Sequence, residues 1–108
     1  MARRVEQVEE LLRREIGTIV AKEVDMERMF ITFTRIEVSK DTRYTDIYFV
    51  TIPGEGAGKA LEQLNSNIFL IQKSLNKRLR MRPVPQIRFH IDETEQEAAH
   101  IDELLERI

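Results

Sequence analysis

The 108-residue chain has no cysteine, so disulfides and thiolate zinc sites are excluded and a reducing compartment is the natural setting. No apolar run approaches the length of a membrane span. The opening Met-Ala-Arg-Arg-Val-Glu has no apolar centre of the kind a signal peptide needs. Only His90 and His100 are histidines, ten residues apart, and neither has a second histidine at helical spacing to build a metal site. Ser39, Ser66 and Ser74 stand in no nucleophile-elbow context. Gly54-Glu55-Gly56-Ala57-Gly58-Lys59 resembles a phosphate loop but is one residue short, and Ala60 stands where a magnesium-binding hydroxyl is required. Those glycines read instead as a strand-to-helix connection.

The most informative absence is of negative charge. No acidic residue lies between Glu62 and Asp92, a stretch that carries Lys73, Lys77, Arg78, Arg80, Arg82 and Arg88. From Asp92 onward seven acids face one arginine, Arg107. A net charge of −2 hides a basic segment followed by an acidic end. Such asymmetry suits either a polyanion partner or two solvated faces.

What is present fits one domain with a charged surface: 42% apolar and 33% charged residues. Val5, Val8, Leu12, Ile16, Ile19 and Val20 recur at steps of three and four, which predicts an amphipathic helix. Residues 30–38 are rich in strand formers, with Phe30, Ile36 and Val38 on one face and Ile31 and Phe33 on the other. That alternation predicts a strand covered in part on both sides. After a turn at Ser39-Lys40-Asp41-Thr42-Arg43, residues 47–52 read as its antiparallel hairpin partner.

From Lys59 to about Arg80 there is neither Gly nor Pro, and Ala60, Leu61, Leu64, Ile68, Ile71, Leu75 and Leu79 keep helical spacing. Asn65-Ser66-Asn67 interrupts it with residues that favour caps, so one helix ending and another beginning there is expected. Pro83 and Pro85 stop the second helix. Ile87, Phe89 and Ile91 then alternate with Arg88 and His90 as a half-buried strand. Thr94-Glu95-Gln96-Glu97 matches a capping box before a terminal helix with Ala98, Ile101, Leu104, Leu105 and Ile108 on one side.

The basic helix carries the functional signal. Lys73, Lys77 and Arg80, spaced i, i+4, i+7, form a stripe opposite Ile71, Leu75 and Leu79. Arg78 and Arg82 widen it, Arg88 extends it from the strand, and Arg3 and Arg4 add to it if the helices are neighbours. Phosphate is the matching counter-anion. Phe69 is the only aromatic in this helix, so backbone and shape recognition of structured RNA is expected rather than base stacking.

Several segments resemble bacterial ribosome-binding factor A. They are Val38-Ser39-Lys40-Asp41 with Tyr44 and Ile47-Tyr48, Ala60-Leu61, and the run from Leu79-Arg80-Met81-Arg82-Pro83 through Ile91-Asp92. Arg4-Val5 and the helix through Ile19 also fit. The resemblance implies an α+β, type II KH-like domain of order α-β-β-α-α-β, with helices on one side of a three-stranded sheet. Residues 1–92 would form it, and 93–108 an appended acidic helix. The family carries an Ala-x-Gly kink between its central helices; Asn67-Ile68-Phe69 holds the matching place without Gly. The kink is then expected at Asn65-Ser66, or the helices are nearly continuous. Val24-Asp25-Met26 stands in place of an Asp-Pro-Arg turn.

By the same resemblance the chain is a cytoplasmic, cofactor-free, non-enzymatic and monomeric assembly factor. It would bind the immature small ribosomal subunit and its rRNA near the neck and support 5′-end processing and late maturation. Carried onto this sequence, the contacts are Lys73, Lys77, Arg78, Arg80 and Arg82, with Arg3, Arg4 and Arg88 in support. The alternatives are a KH-like module for another structured RNA, or a protein-interaction domain using the acidic terminal helix.

Overall fold

The computed structural model describes residues 2–26 and 29–94, with side chains from residue 6 onward. Helix α1 (Ala2–Glu23) is followed by strands β1 (Phe30–Val38) and β2 (Tyr44–Ile52). A 3₁₀ turn (Gly54–Gly56) leads into α2 (Ala57–Ser66), α3 (Ile68–Arg78) and β3 (Gln86–Ile91). The strand order is β1-β2-β3, with β1 antiparallel and β3 parallel to β2. A parallel pair needs a long crossover, and the two central helices supply it. This is the α+β, KH-like arrangement expected; of the appended helix expected over 93–108, residues 95–108 lie outside the described residues.

Burial alternates along β2. Thr45, Ile47, Phe49 and Thr51 are buried under the helices, while Tyr44 and Ile52 are exposed on the other face. Leu12, Ile16, Ile19 and Val20 of α1, Ala60 and Leu64 of α2, and Ile71 and Leu75 of α3 close over that face. Each large side chain removed from water here contributes roughly 1.5–3 kcal/mol, so this one layer of contacts fixes where every surface residue of α3 points.

Strand β1 departs from simple alternation. Its register with β2 shifts between Phe33 and Arg35, leaving Thr34 as an extra residue in a β-bulge. Ile31, Phe33, Ile36 and Val38 therefore all oppose buried β2 positions, and Phe30 stands 75% exposed on the open face. The expected two-faced strand is replaced by a one-faced strand with a phase reversal in the middle. The bulge is held from both sides. Arg13 Nη1 donates to the Phe33 carbonyl at 2.6 Å, and Thr34 Oγ1 donates to Asp92 Oδ2 at 2.7 Å.

The two central helices break at Asn67, which has φ −107° and ψ 11°. Its backbone N–H reaches the carbonyls of Gln63 and Leu64, and its Nδ2 donates to the Gln63 carbonyl at 2.8 Å. Its own carbonyl accepts from Ile71 N at 2.9 Å and so starts α3. An asparagine thus stands at the break without a glycine, because its short amide adds a second hydrogen bond to the Gln63 carbonyl at the end of α2. The helices are two, and the break lies at Asn67 itself, the last residue of the polar triplet.

Candidate nucleic-acid interface

Helix α3 presents two faces. Ile71 and Leu75 are fully buried, and Lys73, about 200° away from Ile71 at 3.6 residues per turn, is exposed together with Lys77. Arg80 is exposed as well, but not as the third member of a helical stripe. The helix ends at Arg78, and Leu79 turns extended (φ −93°, ψ 140°) to bury its side chain in the core. Arg80 therefore projects from the turn that follows α3.

The remaining basic residues divide by their partners. Arg78 Nη1 lies 3.0 Å from Glu15 Oε2 of α1, so it clamps the two helices together. Arg82 folds back onto the end of α3, donating to the carbonyls of Leu79 at 2.8 Å, Met81 at 2.7 Å and, more weakly, Asn76 at 3.3 Å. It satisfies carbonyls that a helix end leaves open. Arg88 does not extend the patch. Its neighbours Ile87 and Phe89 are buried beneath the helices, so Arg88 points to the opposite face of the sheet. There it makes a two-pronged bond to Asp46, at 2.9 and 3.1 Å, and lies 4.6 Å from the centre of the Tyr44 ring. The side chains of Arg3 and Arg4 lie outside the described residues.

Lys73, Lys77 and Arg80 are thus the exposed cations of this segment that have no partner among the described residues. Unpaired cations are available to a phosphate without first breaking an internal contact.

The open sheet face is organised separately. His90 Nε2 sits 2.7 Å from Asp46 Oδ1, and the His90 ring stacks on Tyr48 with centroids 5.0 Å apart. The Arg35 guanidinium covers the Tyr48 ring at 4.0 Å. Burial pushes the Asp46 carboxyl up, but the hydrogen bonds from His90 and Arg88 and the Arg88 charge outweigh it, and the group ends below the usual carboxylate range. Among the described residues no group of three or more His, Asp or Glu is placed to hold a metal ion. No described helix is long and apolar enough to cross a membrane.

Two features of α3 are not visible in its periodicity. Phe69 is 90% exposed, the largest exposure among the big apolar side chains of the described residues, and Leu70 beside it is 42% exposed. Gln72 stitches α3 to β3: its Oε1 accepts from Ile87 N at 2.9 Å, and its Nε2 donates to the carbonyl of Pro85 at 3.1 Å. Next to these lies a groove of about 310 Å³ lined by Ile68, Phe69, Gln72, Asn76, Val84, Gln86 and Ile87.

The family model of ribosome-binding factor A matches residues 4–105. The chain belongs to that family. A ribosome-binding factor A from Akkermansia muciniphila is 32% identical over 108 residues, covering all of this chain and 86% of the relative. The solution structure of a candidate ribosome binding factor A from Thermotoga maritima superposes with a TM-score of 0.71 at 28% identity, over 83% of this chain and 88% of that one. Coordinates of the Thermus thermophilus factor, fitted into a cryo-EM map of its complex with the 30S subunit, match with a TM-score of 0.63 at 28% identity. They cover 78% of this chain and 90% of that one.

Proposed function

We propose that this chain is a small-subunit assembly factor that binds the immature subunit through its rRNA and supports 5′-end processing and late maturation. The observation that carries this reading is the exposed trio Lys73, Lys77 and Arg80, without a partner among the described residues: two on the outer face of a helix whose other face is locked into the core, the third on the turn that follows it. Membership of the ribosome-binding factor A family and the 30S-bound state of the Thermus thermophilus relative supply the partner. The factor acts by binding and breaks no bond: contacts that favour one rRNA arrangement shift the population toward it. Arg78 and Arg82 support the surface by holding α3 in place, and the factor works in the cytoplasm as a monomer.

Sedimentation with ribosomal particles sorted by subunit maturity tests this. The wild type is expected on immature small subunits, and the variant carrying Lys73→Glu, Lys77→Glu and Arg80→Glu in the free fraction with its thermal midpoint unchanged. Wild-type association by that variant would overturn the assignment, and equal binding to any structured RNA would reduce the chain to a general RNA module.

A further inference from the structure

We propose that Phe69 and the groove beside it seat an unpaired nucleotide, so that the interface reads single-stranded rRNA and not only a helical phosphate backbone. The inference rests on the rRNA-binding reading above and specifies what that surface recognises. Folding gains almost nothing from the Phe69 ring, since 90% of the residue is left in water. The ring shares a helix face with two exposed cations: Lys73 is four residues on and Lys77 four more, about 6 Å of helix rise per step. A nucleotide whose phosphate meets Lys73 therefore has its base within reach of Phe69.

The groove supplies the rest of a base site. Ile68, Val84 and Ile87 give it apolar walls. Asn76 Oδ1 is taken by Gln72 Nε2 at 3.1 Å, which leaves the Asn76 amide hydrogens aimed away from that bond. Gln86 adds an exposed side-chain amide on the other side. Amides pair with base edges, and aromatic rings stack on base faces whatever the sequence. An aliphatic partner would need only the walls. The bordering cations, in a stretch with no acid between Glu62 and Asp92, select a polyanion.

The test compares labelled ten-nucleotide single-stranded RNA with a ten-base-pair RNA duplex by fluorescence anisotropy, with immature small subunits as a third ligand. Phe69→Ala is expected to weaken single-strand binding about 5- to 150-fold, the range for loss of one stacked base, and to leave duplex binding unchanged. Phe69→Tyr should restore it. The exposure of Phe69 makes a folding defect unexpected, and an unchanged thermal midpoint checks this. Equal loss on both RNAs, no loss on either, or no measurable single-strand binding by the wild type would overturn the proposal. Loss on subunits alone would also overturn it, because Phe69 would then contact a ribosomal protein. Lys73→Gln with Lys77→Gln separates the two readings. If that pair leaves every RNA affinity untouched the cationic surface fails, whereas a fall with Phe69→Ala silent removes only the base seat.

Discussion

Neutralising the three exposed cations should change the salt dependence of RNA binding by an amount set by their number. Each phosphate contact contributes about 0.7 to the logarithmic salt slope on single strands and about 0.9 on duplex. Lys73, Lys77 and Arg80 have no partner to break among the described residues, so all three count in full. The triple variant Lys73→Gln, Lys77→Gln, Arg80→Gln should therefore lose about 2.1 to 2.7 from the slope. Between 50 and 200 mM monovalent salt the wild type should lose roughly 20- to 40-fold more affinity than the variant. Titrations at four salt concentrations measure this directly. Arg78→Gln serves as the control, because its guanidinium already faces Glu15 at 3.0 Å and must leave that bond to reach a phosphate. A slope equal in wild type and triple variant would refute the reasoning, whatever happens to the affinity at one salt concentration. So would a larger slope change from Arg78→Gln than from Lys73→Gln.

Gln72→Ala strips the Ile87 N–H and the Pro85 carbonyl of their partners at a part-buried strand edge beside the groove, which should cost about 1–3 kcal/mol in a urea unfolding titration; a loss under 0.5 kcal/mol would show that water replaces the amide freely. Asp46 has a lowered carboxyl pKa, so the unfolded chain binds its proton first as pH falls and the stabilisation is present above about pH 4 and lost below it. Asp46→Asn should accordingly destabilise most at pH 7, with the gap to the wild type narrowing steadily as pH falls below about 4, and a gap that does not narrow in acid would remove the Asp46 charge as the source. Asn67→Ala keeps the backbone bonds of the helix break but loses the side-chain bond to Gln63, at about 0.5–1.5 kcal/mol, while Asn67→Gly should cost no more than Asn67→Ala if the bend is what matters; chemical denaturation of the two variants decides it.

Much of the scaffold is legible in residue spacing. Leu12, Ile16 and Ile19 mark the inner face of α1, and Ile71 and Leu75 that of α3, because a helix repeats its environment every three or four residues and each position answers to one neighbour layer. The break at Asn67 is legible as chemistry, since asparagine prefers to bond nearby backbone. The bulge at Thr34 is not. One inserted residue reverses the in-out phase of a strand, and only the partner register reveals it. The same limit governs the arginines. Nothing local distinguishes Arg78 from Lys77, yet one is paired with Glu15, 63 residues away, and the other has no partner among the described residues. Arg88 looks like an extension of the basic run, but strand alternation and Asp46, 42 residues earlier, send it to the far face.

These partners sharpen the functional surface by subtraction. Six cations between Glu62 and Asp92 would suggest one broad electrostatic patch, whose binding would be tight and indifferent to RNA shape. The fold removes Arg88 to the other side of the sheet, ties Arg78 to α1 and spends the donors of Arg82 on the end of α3. What remains exposed along α3 and the turn after it, and what the proposed function offers to rRNA, is a short row of three cations, with an uncovered phenyl ring at one end and a groove edged by amides along its side. Fewer charges mean a smaller nonspecific component, and a factor that selects immature subunits, as proposed, needs that component to be small. On this argument, adding cations to the row should tighten binding to mature and immature particles alike. Discrimination between them would fall as affinity rises, which a Gln86→Lys variant compared on both particles would reveal.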